Sequence, residues 1–197
     1  MRLCDSDIEK YILEKKIIIK PIPNIKKING LTIDIHLSNK FRVFKNFQNN
    51  VIDLRKSSKV IKLGLKKNIS DELIISKEKS FILKPKDFIL SMTLEKISIP
   101  NNLVGWLDGR SSLARLGLMI HMTSHRIDPG WNGNIVLEIF NAGKSILALS
   151  PGMAIAALSF EKLSGTSKRP YNFKNNSKYF NQSSILSSLI YKDEVSK

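Results

Sequence analysis

Leu31-Thr32-Ile33-Asp34-Ile35-His36-Leu37 alternates apolar and polar side chains without a break. Successive residues of a strand face opposite sides, so this alternation predicts a half-buried β-strand with Leu31, Ile33, Ile35 and Leu37 turned to the core. Upstream, Asn29-Gly30 is a hairpin-type turn, and Ile17-Ile18-Ile19 reads as a strand leading into a proline-bearing turn at 21–23. Ser6-Asp7-Ile8-Glu9 has capping-box spacing, and Ile8, Tyr11 and Ile12 recur at helical intervals, so a helix is predicted over residues 6–15. Downstream, residues 45–70 are rich in lysine and asparagine and give no usable period. From 72 to 100 come three short β-rich runs, broken at Lys77-Glu78-Lys79, Pro85 and Pro100. Further strands are predicted at 103–107, 119–127, 134–140, 146–149 and 153–161. Short strands at this spacing define a mainly β chain, an all-β barrel or jelly-roll-like domain. From Ser164 onward periodicity fades into serine, asparagine and lysine. That tail reads either as plain disorder or, because Tyr171, Lys178, Tyr179 and Gln182 offer stacking and hydrogen-bonding groups, as a closing lid.

At 197 residues, with 42% hydrophobic and 25% charged residues, the chain suits one domain with a real core. Its start lacks the basic region and apolar run of a signal peptide, and no apolar stretch approaches the ~18 residues of a membrane span. The expectation is a cytoplasmic protein with no membrane partner. One cysteine, Cys4, leaves no internal disulfide and no cysteine-rich metal site. The formal net charge is +15. The lysines are scattered and read as solvated surface. The arginines are not scattered: of seven, Arg110, Arg115 and Arg126 fall within seventeen residues. Arginine's rigid fork suits phosphate and carbonyl oxygens better than a lysine point charge does.

Residues 105–143 also hold six of the ten glycines and two of the three histidines. After a turn at Asp108-Gly109, Ser111 or Ser112 can cap a short helix near 111–116. Ser111 and Arg115 then share one face, while Leu113 and Leu116 point to the core. Free N–H groups, hydroxyls and arginines at one helix start suit an anion such as phosphate, although an ordinary capped helix has the same residues. Further on, Ile135, Leu137 and Ile139 mark one strand face, so Val136, Glu138 and Phe140 share the other. Burial of Glu138 there would lift its pKa toward a general base's range, while nearby arginines would lower it. Structural ion pairs create the same pattern, so the residues leave both roles open. His121 and His125, evenly spaced, would share a strand face, but no third ligand accompanies them and a structural role is expected. The zinc deaminases of nucleobases need His-x-Glu with Pro-Cys-x-x-Cys, which one cysteine cannot supply.

Taken together, these residues resemble the trimeric dCTP deaminases, relatives of the trimeric dUTP pyrophosphatases (dUTPases). The likeness runs through Met1-Arg-Leu-Cys-Asp5, Ile28-Asn-Gly30, Gly105 to Leu118, His121 to Asn141, Pro151-Gly-Met153 and Arg169-Pro-Tyr171. The resemblance implies a dUTPase-like distorted β-barrel over residues 1–163, a lid over 164–197, and deamination of dCTP to dUTP with release of ammonia. It implies that Glu138 is catalytic, with Ser111, Arg115 and Arg126 lining the site. It implies nucleotide contacts from Arg110, Ser111, Ser112, Leu113, Ala114 and Arg115, and from Asp128 at the deoxyribose. Val136, Leu137 and Glu138 would read the pyrimidine, and Tyr171, Lys178 and Gln182 would add contacts from the tail. It further implies a homotrimer with pockets between subunits, Mg2+ carried on the substrate triphosphate, no zinc, and dTTP as feedback inhibitor. Ser124 departs from the alanine expected there, and residues 43–70 and 186–197 match poorly. A dUTP pyrophosphatase, or an enzyme that both deaminates and cleaves, is the alternative, with Asp128 directing water at phosphorus. Glu138 and Arg110-Ser111-Ser112 favour deamination, because a pyrophosphatase has no use for a carboxylate beside C4 of the base. A barrel binding RNA or single-stranded DNA would interleave aromatics with its basic residues, which this chain does not do, so no nucleic acid partner is expected.

Overall fold

Ile33, Ile35 and Leu37 are 2%, 0% and 0% exposed, while Asp34 between them is exposed. From Ile33 on, the alternating stretch is therefore the half-buried strand that its pattern predicts, extending to Val43, but Leu31 precedes the strand and is 43% exposed instead of facing the core. The computed structural model describes residues 1–28, 30–45, 51–173 and 177–193. Among these, the α-helices are α1 (Asp5–Leu13), α2 (Ser58–Asn68) and α3 (Ser111–Ala114). The strands are β1 (Ile18–Lys20), β2 (Ile33–Val43), β3 (Leu73–Ile74), β4 (Phe81–Leu83), β5 (Phe88–Ser98) and β6 (Leu103–Gly109). They continue as β7 (Leu118–Met119), β8 (Arg126–Ile127), β9 (Asn132–Asn141), β10 (Leu147–Leu149) and β11 (Ala154–Lys162). No helix among the described residues is long and apolar enough to cross a membrane.

Nine strands form one antiparallel sheet in the order β7-β9-β5-β2-β11-β6-β8, with β1 added on β5 and β3 on β2. β4 and β10 make a separate antiparallel pair. The register shifts between Leu37 and Phe41, between Met92 and Lys96, and between Ala154 and Ala156. Such bulges bend and twist a strand, and here they curl the long strands into a distorted barrel around one core. That core holds Ile35, Leu37, Ile97, Leu107, Leu137, Leu158 and Phe160, and Ile8 of α1 packs into it. At the β5 bulge, Thr93 Oγ1 accepts from Ile135 N–H and donates to the Glu95 carbonyl, and Asn134 Nδ2 donates to the same carbonyl. These bonds fix where β9 begins and so set the register of the residues that follow.

Several local expectations change. α1 starts at Asp5 with Cys4 as N-cap, and no side-chain cap bond forms at that end. Asp5 Oδ1 instead accepts the Ser6 N–H at 2.8 Å, so the Ser6–Glu9 capping box is not made. The single strand predicted over 119–127 splits into β7 and β8. Between them the backbone turns over Glu138, whose carboxylate takes the Met122 N–H that a sheet ladder would have used. β6 runs through Asp108-Gly109 rather than ending before them. α3 is capped by Arg110 without a side-chain bond, and Leu116 is 53% exposed instead of facing the core. α2 falls in a stretch read as featureless. The Asn29-Gly30 turn lies partly outside the described residues, since Asn29 is not among them; Gly30 has φ +59°.

Candidate active site

On β9 alternation is strict: Ile135, Leu137 and Ile139 are buried, while Val136, Glu138 and Phe140 are half-buried on the opposite face. The Glu138 N–H donates to Ile120 O at 3.2 Å, and its Oε2 accepts the Met122 N–H at 3.1 Å. The carboxylate is thus held by backbone and faces a cavity of about 460 Å³. Arg126, Asp128, Val136, Tyr171 and Gln182 line the same cavity, and Phe88 and Leu90 give it an apolar wall. Arg126 Nε donates to Asp128 Oδ1 at 2.8 Å, so guanidinium and carboxylate orient one another two residues apart.

The segment after β11 supplies another part of the wall. Tyr171 packs its ring 5.2 Å from that of Trp131, its N–H donates to Pro129 O at 2.7 Å, and its hydroxyl accepts the Tyr179 N–H at 3.0 Å. Burial pushes the Tyr171 hydroxyl above its ordinary pKa, against the Tyr179 N–H, which lowers it. The side chain therefore stays a neutral hydroxyl near pH 7. Gln182 is buried, its carbonyl accepts the Asn134 N–H of β9 at 2.8 Å, and its Nε2 donates to Asn134 O at 3.2 Å. This approach needs Gly133, whose φ is +147° and where a Cβ would lie 2.9 Å from Gln182 N. Gln182 Oε1 has no hydrogen-bond partner among the described residues, which leaves an acceptor on the cavity-lining side chain.

Other predicted residues stand apart from this cavity. Ser111, Ser112, Ala114 and Arg115 are exposed, and Leu113 packs against the core. Arg110 bonds Ala154 O at 3.3 Å and faces Asp34 at 3.6 Å. The α3 segment is held by a backbone contact: Gly117 (φ +87°) passes so close to Gly143 that a Cβ would lie 2.3 Å from its nitrogen. The Leu137 side chain is 0% exposed in the core, because a strand turns each neighbour of Glu138 the other way. Lys178 lines a neighbouring cavity and pairs with Asp193. His121 and His125 do meet, with ring centroids 5.2 Å apart, but across a turn rather than on one strand. Among the described residues no three or more His, Cys, Asp or Glu side chains gather as a metal site. Sequence reading missed Leu90, which pairs with Glu138 across β5 and β9, and Leu65 and Ile69 at the end of α2. Sheet register places Leu90, and the packing of α2 against the barrel places Leu65 and Ile69.

A curled antiparallel sheet that offers one strand carboxylate to a cavity, with a C-terminal segment as the far wall, defines a β-barrel protein with a small-molecule site. The dCTP deaminase-like family profile matches residues 2–163, and the chain belongs to that family. It is 58% identical to the dCTP deaminase of Buchnera aphidicola subsp. Schizaphis graminum and 60% identical to that of subsp. Baizongia pistaciae. Each alignment runs over 193 residues, 98% of this chain and 100% of the relative. The dCTP deaminase of Haemophilus ducreyi is 54% identical over 194 residues, again 98% of this chain and all of the relative. Among solved structures, the 2'-deoxycytidine 5'-triphosphate deaminase from Agrobacterium tumefaciens superposes with a TM-score of 0.61 at 18% identity. That match covers 82% of this chain and 48% of the other, so the chain spans about half of that longer protein, and the likeness is one of fold.

Proposed function

We propose that this chain hydrolyses dCTP to dUTP and ammonia, with Glu138 moving the proton. The observation that carries the reading is the Glu138 carboxylate in the wall of the 460 Å³ cavity, in a chain 54–60% identical along nearly its whole length to proteins named dCTP deaminase. Deamination at C4 adds water across the C4–N3 bond and then breaks the C4–N bond. Glu138 takes a proton from water as its oxygen attacks C4 and passes that proton to N3. Glu138 then takes the C4 hydroxyl proton and gives it to the amino group, so the tetrahedral centre collapses to the C4 carbonyl and expels ammonia. Val136 and the Glu138 backbone read the pyrimidine edge, Asp128 meets the deoxyribose, and Tyr171 and Gln182 close over the base. Leu137 contributes through its backbone, since its side chain is in the core.

The exposed residues Ser111, Ser112, Ala114 and Arg115, with half-buried Arg110 beside them, have the hydroxyls, guanidinium groups and N–H groups to hold phosphates, yet they do not line the cavity of their own protomer. In a homotrimer this segment completes a neighbouring subunit's cavity, where Ser111 positions the water and Arg115 holds the nucleotide. Lys178 meets the triphosphate from the tail. Mg2+ enters on the triphosphate and offsets its charge; the described residues gather no acidic cluster that would hold it independently. The feedback inhibitor dTTP shares deoxyribose and triphosphate with dCTP and takes the same cavity. The working compartment is the cytoplasm. Ammonia, dUTP and dUMP measured together after incubation with Mg2+ and dCTP test the reading. Ammonia and dUTP in equal amounts are expected, and dUMP with pyrophosphate would add the cleavage activity. The purified protein is expected to hold no stoichiometric zinc, with chelators acting only on magnesium. One tightly bound zinc per chain on which activity depends would refute this, as metal analysis can show.

A further inference from the structure

Lys178 has a partner before any nucleotide arrives. Its ammonium makes an ion pair with Asp193 Oδ1, the side chains being 27% and 49% exposed. Lys178 lines a second cavity, of about 480 Å³, together with Arg169, Ser167 and Ser177. Asp128, Tyr171 and Tyr179 line both this cavity and the one holding Glu138, so the two share a wall. An ammonium, a guanidinium and hydroxyls at one opening suit an anion rich in oxygen acceptors.

Asp193 reaches Lys178 on an anchored strap. Ile185 is 0% exposed, and its N–H donates to Glu72 Oε2 at 3.1 Å. The Leu189 N–H donates to the Tyr179 hydroxyl at 3.0 Å, and the Lys62 ammonium of α2 lies 5.5 Å from the centre of the Tyr191 ring. The Asp193 N–H closes the 3-10 turn on Ile190 O at 3.0 Å. The same strap passes Leu186, Ser187 and Ser188 along the Glu138 cavity before it delivers the carboxylate.

We propose that the Asp193 carboxylate is an internal substitute for a substrate phosphate on Lys178 and so sets the affinity for the triphosphate. The inference rests on dCTP being the substrate. A carboxylate and a phosphate present similar charged oxygens to an ammonium, and Lys178 exchanges one for the other when nucleotide binds. Until then the pair keeps the lysine extended at the cavity wall, so binding costs a charge exchange instead of the ordering of a free side chain. A pair this exposed holds weakly, which keeps it displaceable.

Asp193→Asn removes the competing charge at a position outside the proposed catalytic and binding machinery. Its KM for dCTP is expected to fall two- to fivefold, about 0.4–1 kcal/mol, with kcat unchanged. Equilibrium binding of dCTP in a Glu138→Gln background is expected to tighten by the same factor. Deoxycytidine, which carries no phosphate, should bind parent and variant equally, and Asp193→Glu should keep the parental KM. An unchanged or raised KM for dCTP, a fall in kcat, or an equal shift for deoxycytidine would overturn the proposal, because each makes the strap merely structural. Failure of the parent chain to bind dCTP would overturn the substrate reading and this proposal with it.

Discussion

Leu137 and Glu138 are adjacent in sequence and face opposite media, one wholly in the core and the other on the cavity. Period-two alternation made that division legible before any coordinates, because it depends only on strand geometry. It also identified Glu138 as the lone acidic residue of its strand, and Arg126 and Asp128 line the same cavity. What alternation could not show is how the carboxylate is held, since the Met122 N–H comes from a segment that looked like continuous strand. The role proposed for Glu138 is exposed to a direct test. Glu138→Gln preserves size and can still accept the Met122 N–H, but it cannot accept a proton from water. Turnover is expected to fall by about 10²–10⁴, the usual worth of general acid–base catalysis. Nucleotide binding should stay within about tenfold, ~1.4 kcal/mol. Steady-state turnover and equilibrium binding of dCTP measured on one preparation separate the two effects. Turnover within a few-fold of the parent would remove Glu138 from the mechanism.

Among the elements, those whose pattern is local were legible and those that answer to distant partners were not. The strands at 134–140 and 153–161 came within two residues of β9 and β11 because β9 buries one face along its length and β11 buries residues on both faces. α2 was missed because only Ile61 of its residues is buried, while Val60 and Leu63 stand 53% and 52% exposed among lysines. Ile61, Leu65 and Ile69 do recur four apart, but Gly64 and the surrounding lysines obscure that short stripe. The tail beyond β11 has little period for a related reason: it is fastened by single contacts, Tyr171 on Trp131, Gln182 on Asn134 and Ile185 in a small cluster with Ile69, Leu90 and Met92. These contacts make the tail one wall of the cavity, and a closing element excludes water and completes a site. Deletion of everything after Thr166 is therefore expected to leave the barrel folded, because its main core lies in β2, β5, β6, β9 and β11. Far-ultraviolet circular dichroism should keep its β signature, with a lowered melting temperature from the uncovered Trp131 and Leu90. Turnover should fall more than about tenfold. Full activity in the truncated chain would leave the tail no part in closure.

At the scale of the molecule, one protomer places the predicted groups in two places. Glu138, Arg126, Asp128, Val136, Tyr171 and Gln182 share a cavity, while Ser111, Ser112 and Arg115 stand exposed on α3 and its flank. Sequence order gave no hint of this separation, because Arg115 and Arg126 follow one another closely in the chain. A head-to-tail ring resolves it, since a heterologous interface sets one surface of a subunit against a different surface of the next. The homotrimer proposed here then builds each site from Glu138 of one subunit and Arg115 of its neighbour. Complementation tests that arrangement. Glu138→Gln and Arg115→Ala are each expected to be nearly inactive alone. Unfolded together in equal amounts and refolded, they should assort at random into trimers, so that roughly one site in four overall joins an intact Glu138 to an intact Arg115. About a quarter of parental activity should therefore return, at a mass that light scattering reads as three chains. If both residues served a site within one protomer, every mixed trimer would carry one defect per site and no activity would return.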